Sequence, residues 1–439
     1  MSPSDRGQGS APGQARAEAL SVLAFYLPQF HTVPENDAWW GAGFTEWRNV
    51  VKARPLFPGH EQPRLPGELG FYDLRLPETR EQQAVLARRH GIDGFAYYHY
   101  WFHGRRMLQR PWEEVRSSGA PDFPFCLIWA NENWTRTWDA GQREMLIAQT
   151  YSPEDDDAHG RYLVEQFGDD RYIRVAGRPL LGVYRVQALP DPQRTFDHWR
   201  SLAVAAGVGE PYIVKFDTWS DFGDPADHGC DASAEFPPHG VFEHLPAAVR
   251  DDIDPVHALI DYGDVVRFFV ERPDPTWTRH PTVVPSWDNT PRKPQGPSVV
   301  LLGRDPAWFQ EWVEGAIARA IRSPHPLVFV NAWNEWAEGA YLEPDEAWGR
   351  AFLEAISAAR LAAGLPSSSV SEPARSEVPP PATTAELYAD LYERDLELQH
   401  AHVELQGFVQ RRVEASTLEA RRRIADLEAE LERWRPSPS

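Results

Sequence analysis

PLVFVNAWNEWAEG, residues 326–339, joins a short apolar run to a pair of acids. Its first half is the β-branched and aromatic kind of segment that forms a strand covered on both faces. Its second half places Glu335 and Glu338 three residues apart among tryptophans, just where that strand should end. Runs of the same kind occur at 22–27, 92–98, 125–130, 179–184, 212–216, 231–235 and 283–287, so with 327–332 the sequence predicts eight strands.

Amphipathic segments with helix punctuation lie between these runs. Pro77-Glu78 opens one that ends before Gly91, Ser152 caps another at Pro153-Glu154, and Asp191-Pro192 opens one that ends at Gly207. A last segment, 346–363, stops at Gly364. Strand and helix alternating over about 340 residues predict a (β/α)8 TIM barrel, with long insertions after strands one and six. A doubly wound open sheet would want a glycine-rich turn after its first strand, and Tyr26-Leu27-Pro28-Gln29-Phe30-His31 has none.

Composition narrows the classes of function. The chain has 439 residues and is 42% hydrophobic, enough for a large core. No stretch approaches eighteen uninterrupted apolar residues and the first twenty contain no apolar export segment, so a soluble, cytoplasmic protein with no membrane insertion is expected. Cys126 and Cys230 each sit inside apolar runs and should be buried and reduced. A formal charge of −21 repels phosphate backbones and anionic lipid, which argues against nucleic-acid partners.

Beyond Gly364 the composition changes. The expected organisation is a disordered N-terminus at 1–20, the barrel at 21–363, a Pro/Ser-rich linker at 364–384 and a coiled-coil helix at 385–434. In that helix Val413, Thr417, Ala420, Ile424, Leu427, Leu431 and Trp434 follow a 4-3-4-3 spacing, and Leu387, Leu391, Leu398 and Leu405 form a similar seam upstream. Such a stripe suits a homo-oligomer or a partner helix; a lone helix docked on the barrel is the alternative.

In a barrel of this type the functional site is built where strands finish. Those positions hold Tyr26 after strand one, and His99, Tyr100 and Trp101 after strand two. Strand three leads into Asn131, Glu132 and Trp134, strand four into Tyr184 and Arg185, strand five into Lys215 and Asp217, and strand six into Glu235. Trp287 and Asp288 follow strand seven, and Asn334, Glu335, Trp336 and Glu338 follow strand eight. A single strand-end acid is often only a helix cap or an ion-pair partner. The His99-x-x-x-His103 spacing falls at a strand end rather than on a helix, and neither a metal nor another cofactor is expected. The conjunction points to sugar, whose apolar ring face stacks on indole while its hydroxyls need neutral donors and acceptors. Two acids three apart face opposite ways on a strand but share a side in a helical turn. Glycoside cleavage needs such a pair, one protonated and one ionised.

The motif WNEWAEGAYLEP, 333–344, resembles the W/F-N-E-W-x-E-G-x-x-x-E-P signature of glycoside hydrolase family 99, the endo-acting α-mannosidases and mannanases. The chain resembles the WbsX-type proteins of bacterial lipopolysaccharide and capsule loci more broadly. That likeness includes AFYLPQFH (24–31), WWGAGFTEW (39–47), GIDGFAYYHYWF (91–102), WANENWTR (129–136), EFPPH (235–239) and WDNTPR (287–292). The resemblance implies that Glu338 is the general acid/base. It implies that Glu335 deprotonates the sugar's own 2-hydroxyl, giving a 1,2-anhydro intermediate, a substrate-assisted form of retention. It places Tyr26 in the subsite and makes Glu343 the signature's last acid. Ala337 stands where family 99 carries histidine, so the likeness extends to the acid pair more than to mannose. Three readings follow: a retaining glycoside hydrolase or transglycosylase acting on a surface polysaccharide or its precursor; a glycosyltransferase with a nucleotide- or lipid-linked donor; and a non-catalytic glycan-binding module, whose two carboxylates would not both aim into one pocket.

Overall fold

The computed structural model of the protein describes residues 19–138, 142–241, 244–245, 257–293 and 296–365. Eight parallel strands close into a barrel: β1 (Ser21–Tyr26), β2 (Gly94–Phe102), β3 (Phe125–Trp129), β4 (Arg178–Val183), β5 (Tyr212–Phe216), β6 (Ala232–Ala234), β7 and β8 (Leu327–Val330). β7 is two short pieces, Arg279–His280 and Thr282–Val283, on either side of Pro281. Proline has no N–H to give to a ladder, so β7 divides its pairing there. His280 lies opposite Ala234 of β6, and Thr282 lies opposite Phe329 of β8. β8 returns to β1, with Val330 opposite Ala24, and the ring is complete.

Strand parity sets what each face does. Phe25 points inward, with its ring 5.3 Å from both Phe216 and Phe329 and 5.4 Å from Phe236. Gly182 of β4 makes room for this cluster, since a Cβ there would lie 2.8 Å from the Phe216 ring. The outward residues meet the helical layer: α1 (Pro34–Trp40), α2 (Trp47–Lys52), α3 (Pro77–Arg89), α4 (Arg110–Ser118), α5 (Pro153–Phe167), α6 (Pro192–Ala205), α7 (Tyr262–Glu271), α8 (Pro306–Ala320) and α9 (Ala351–Ala362). Ser152 and Asp191 cap α5 and α6 by accepting from the amides of Asp155 and Arg194. Between β5 and β6 the described residues form only a 3-10 turn, Pro225–His228.

Three elements differ from the sequence expectation by more than a residue or two. β2 continues to Phe102, so residues 99–101 belong to the strand rather than to the loop beyond it. β7 lies at 279–283, not 283–287. The more apolar downstream run leaves the barrel, where the Trp287 carbonyl accepts from the Leu301 amide and Asp288 bridges to Val300. α9 starts at Ala351 rather than 346, because the Asp345 carboxylate takes the Trp348 amide and holds a turn before the helix. Leu20 is already buried in the barrel's core. The expected coiled coil and all but the first residues of the linker lie outside the described residues. Among the described residues no helix is long and apolar enough to cross a membrane.

Candidate active site

After Val330 the chain leaves the barrel and folds back as a small hairpin, Asn334–Glu335 paired with Ala340–Tyr341 around the 3-10 turn Trp336–Glu338. Gly339 closes that turn at φ 63°, and a Cβ there would lie 3.0 Å from the Asp288 amide nitrogen, so the position suits only glycine. The hairpin is fastened on two sides. Asn334 accepts from the Leu27 amide (2.7 Å) and donates to the Leu27 carbonyl (3.0 Å). The Asp288 amide donates to the Glu338 carbonyl at 2.6 Å, and Arg64 donates to that of Gly339.

Glu335 and Glu338 converge on one guanidinium. Arg292 donates from Nη2 to Glu335 (2.9 Å), from Nη1 to Glu338 (2.5 Å) and from Nε to Glu46 (2.8 Å). Since the two bonded oxygens sit on the terminal nitrogens of one planar fork, they are at most about 8 Å apart, within the span of paired glycosidase acids. Glu335 is nearly enclosed, its side chain 7% exposed, whereas Glu338 keeps 22%. Burial raises the pKa of Glu335, Arg292 opposes the rise, and the charges of Glu338 and Glu46 add to it.

Tyrosines near enough to sense this pair have indoles packed beside them. Tyr98 and Tyr100 share the inward parity of β2 and feel the charge of Glu335 and Glu338, which adds to the effect of burial in raising both phenols. Trp134 packs edge-on to Tyr100 (5.0 Å) and to Trp39 (5.8 Å). Across the site, Tyr184 and Glu132 both sense Glu338, and burial pushes the Glu132 carboxyl up despite Arg185 at 3.1 Å. The exposed ring of Trp219 covers the Arg185 guanidinium at 4.9 Å. Of the residues expected from sequence, the structure thus gathers Glu132, Trp134, Tyr184, Glu335 and Glu338.

The other expected residues lie elsewhere. His99 and Trp101 point out of the barrel into the helices: His99 Nε2 is 3.0 Å from His159 Nε2 and the Trp101 indole donates to Asp155, both on α5. Tyr26 also faces outward, donating to Gln83 of α3 at 2.7 Å. Lys215 is fully buried against Asp221 (2.9 Å), with Asp217 at 3.6 Å. Glu235 is held by Arg319 of α8 at 2.9 Å, with Arg272 and Arg279 close by. Asn131 fixes the backbone of Arg185 through two bonds of 2.8 Å. Trp287 is buried, and its indole N–H meets no acceptor among the described residues. Asp288 accepts from His60 and Gln62, and although burial opposes it, these bonds with Arg64 and Thr290 hold its carboxyl below the usual range. Trp336 stacks on Tyr341 at 3.8 Å and donates to Glu343, which lies behind the hairpin.

Sequence reasoning passed over Arg292, Glu46, Tyr98 and Trp219. The first two lie within WDNTPR and GFTEW, but the contact between them spans 246 residues and no local spacing discloses it. Tyr98 was within reach through the period-two parity of β2. Among the described residues no group of three or more histidines, cysteines or acids is arranged to hold a metal.

A family model described as glycosyltransferase WbsX matches residues 22–356. The chain belongs to the WbsX family. It is 42% identical over 340 residues to protein WxcX of Xanthomonas campestris pv. campestris, in each of two strains, an alignment covering 76% of this chain and 49% of the relative. This WbsX chain therefore spans about half the length of the curated relatives it matches. A solved structure described as a glycoside hydrolase-like protein superposes with a TM-score of 0.50 at 15% identity, over 80% of this chain and 97% of that one. At that identity the likeness is one of fold. The family 99 endo-alpha-mannosidase of Bacteroides thetaiotaomicron gives a TM-score of 0.46 at 15% identity, over 77% of this chain and 96% of that one.

Proposed function

We propose that this WbsX protein is a carbohydrate-active enzyme that cleaves or transfers a glycosyl unit of a bacterial surface polysaccharide or its precursor, with Glu335 and Glu338 as the reacting acids. The convergence of those two carboxylates on Arg292, with Tyr98 and Tyr100 near enough to sense both, supports this reading. The reading as a module that only binds glycan expects the two carboxylates not to share one site, and their common guanidinium weighs against it.

In this reading Glu338, the more open of the two, gives its proton to the departing glycosidic oxygen. Glu335 takes the proton of the sugar's 2-hydroxyl as that oxygen attacks the anomeric carbon, forming a 1,2-anhydro ring. Glu338, now ionised, then deprotonates the incoming hydroxyl, which opens the ring, while Glu335 returns its proton to the 2-oxygen. Two inversions give net retention. The raised pKa of Glu335 makes its ionised form a stronger base than an exposed carboxylate. Water or a sugar hydroxyl can be the acceptor, so hydrolysis and transfer share every step but the last. The family's description favours transfer.

The test is to incubate the full chain with defined oligosaccharides, with and without nucleotide sugars, and identify the products. Glu338→Gln should retain far more activity on an activated aryl glycoside than on a natural linkage, by roughly the 10² to 10⁴-fold that general acid catalysis supplies. Glu335→Gln should lose both. A 2-deoxy substrate should be inert, and its turnover would rule out the internal nucleophile.

A further inference from the structure

The two-acid mechanism leaves a third carboxylate unexplained. Glu46, just before α2, has a side chain only 3% exposed and meets Arg292 Nε at 2.8 Å and Asn49 at 3.3 Å. It holds the inner edge of the guanidinium, which leaves the two terminal nitrogens pointing at Glu335 and Glu338. We propose that Arg292, anchored by Glu46, is a positioning residue that fixes the separation and orientation of Glu335 and Glu338 by binding one oxygen of each. This inference rests on the reading above for its purpose, but not for its geometry.

A planar guanidinium can bind three carboxylates along separate edges, which a single ammonium cannot do. The turn that carries Arg292 is itself pinned. The Asp288 carboxylate accepts from the Thr290 amide and hydroxyl, and the Arg292 amide donates to the Asn289 carbonyl. Arg292 bonds one oxygen of each acid, Oε2 of Glu335 and Oε1 of Glu338, so both carboxyl groups are turned to the same guanidinium. The other ionisable groups facing the pair are Glu46, Tyr98, Tyr100, Tyr184, and Glu132 with its partner Arg185.

Carboxyl-carbon NMR of the full chain labelled in glutamate reads this without a substrate, with the two resonances assigned through Glu335→Gln and Glu338→Gln. In Arg292→Ala the titration midpoint of the pair should rise by about one pH unit or more, a tenfold gain in proton affinity. In Arg292→Lys it should rise unequally for the two acids, because one ammonium cannot span both. Unchanged midpoints in Arg292→Ala overturn the proposal, as do unchanged midpoints in Arg292→Lys if the alanine variant fails to fold. Shifted midpoints in a protein that forms no product from any oligosaccharide would keep the clamp and remove the glycosyl-transfer reading.

Discussion

Glu343 lies one layer behind the reacting pair, and its carboxyl accepts from three neutral donors, Tyr72, Gln83 and the Trp336 indole, at 2.6 to 2.7 Å. Burial raises its pKa to about 7, with the hydrogen bonds opposing. A carboxyl that binds its proton more tightly when folded adds stability in full below the unfolded value of about 4.5, and that contribution is lost as pH rises through about 7. Unfolding free energy should therefore fall between those limits in the native protein relative to Glu343→Gln, by a few kcal/mol at most. Parallel denaturant titrations from pH 4 to 8 measure the difference; a flat difference would place the charge of Glu343 in solvent. At this scale the acids were the legible part, because chemistry that needs paired carboxylates can be sought by residue type and spacing. Arg292 was not legible, since its meaning lies in partners 43, 46 and 246 positions away.

Elements were read well in kind and less well at their edges, and β2 shows why edges matter. With the strand ending at Tyr98, residues 99–101 become loop and any of them can face the site. With the strand running to Phe102, parity assigns Tyr98 and Tyr100 to the interior and His99 and Trp101 to the helices. Apolar pattern could not place that end, because all nine residues of β2 are buried, on both faces alike. The assignment makes opposite expectations for neighbours. Trp101→Ala removes an indole packed on His159 at 4.6 Å and should cost about 3 to 5 kcal/mol of stability in thermal or denaturant unfolding. Tyr100→Phe should leave stability within about 0.5 kcal/mol and instead lower turnover, because its phenol shares the inward face and senses the charge of both acids. A reversed pattern would mean that the faces of β2 are exchanged. Likewise β7 was misplaced by four residues, since its pieces are interrupted by Pro281 while the stronger apolar run beyond leaves the barrel and meets Val300 and Leu301 at its end, Trp287 and Asp288.

For the whole molecule, eight strands alternating with mostly helical connections sufficed to specify a barrel, because parallel strands buried on both faces have few other ways to close. The C-terminal segment 385–434 calls for a different argument. Its apolar positions recur at alternating intervals of four and three, with Leu427 and Leu431 followed by Trp434, and the residues between them are mostly Glu, Arg and Ala. A single helix with that stripe leaves it in water, where isolated helices are marginal, while two or more helices bury it with interlocking side chains. Glutamate and arginine flanking the seam can pair across the interface in the same register. The full chain should therefore self-associate, and a chain ending at residue 364 should not. Light scattering on both across a dilution series gives the masses: the full chain should weigh at least two copies at high concentration and dissociate on dilution, while the shortened chain stays monomeric throughout. Monomers in both would show that the stripe is covered within a single chain or by another protein's helix, and pulling down the labelled segment 385–434 with the separate 1–364 chain tells these apart.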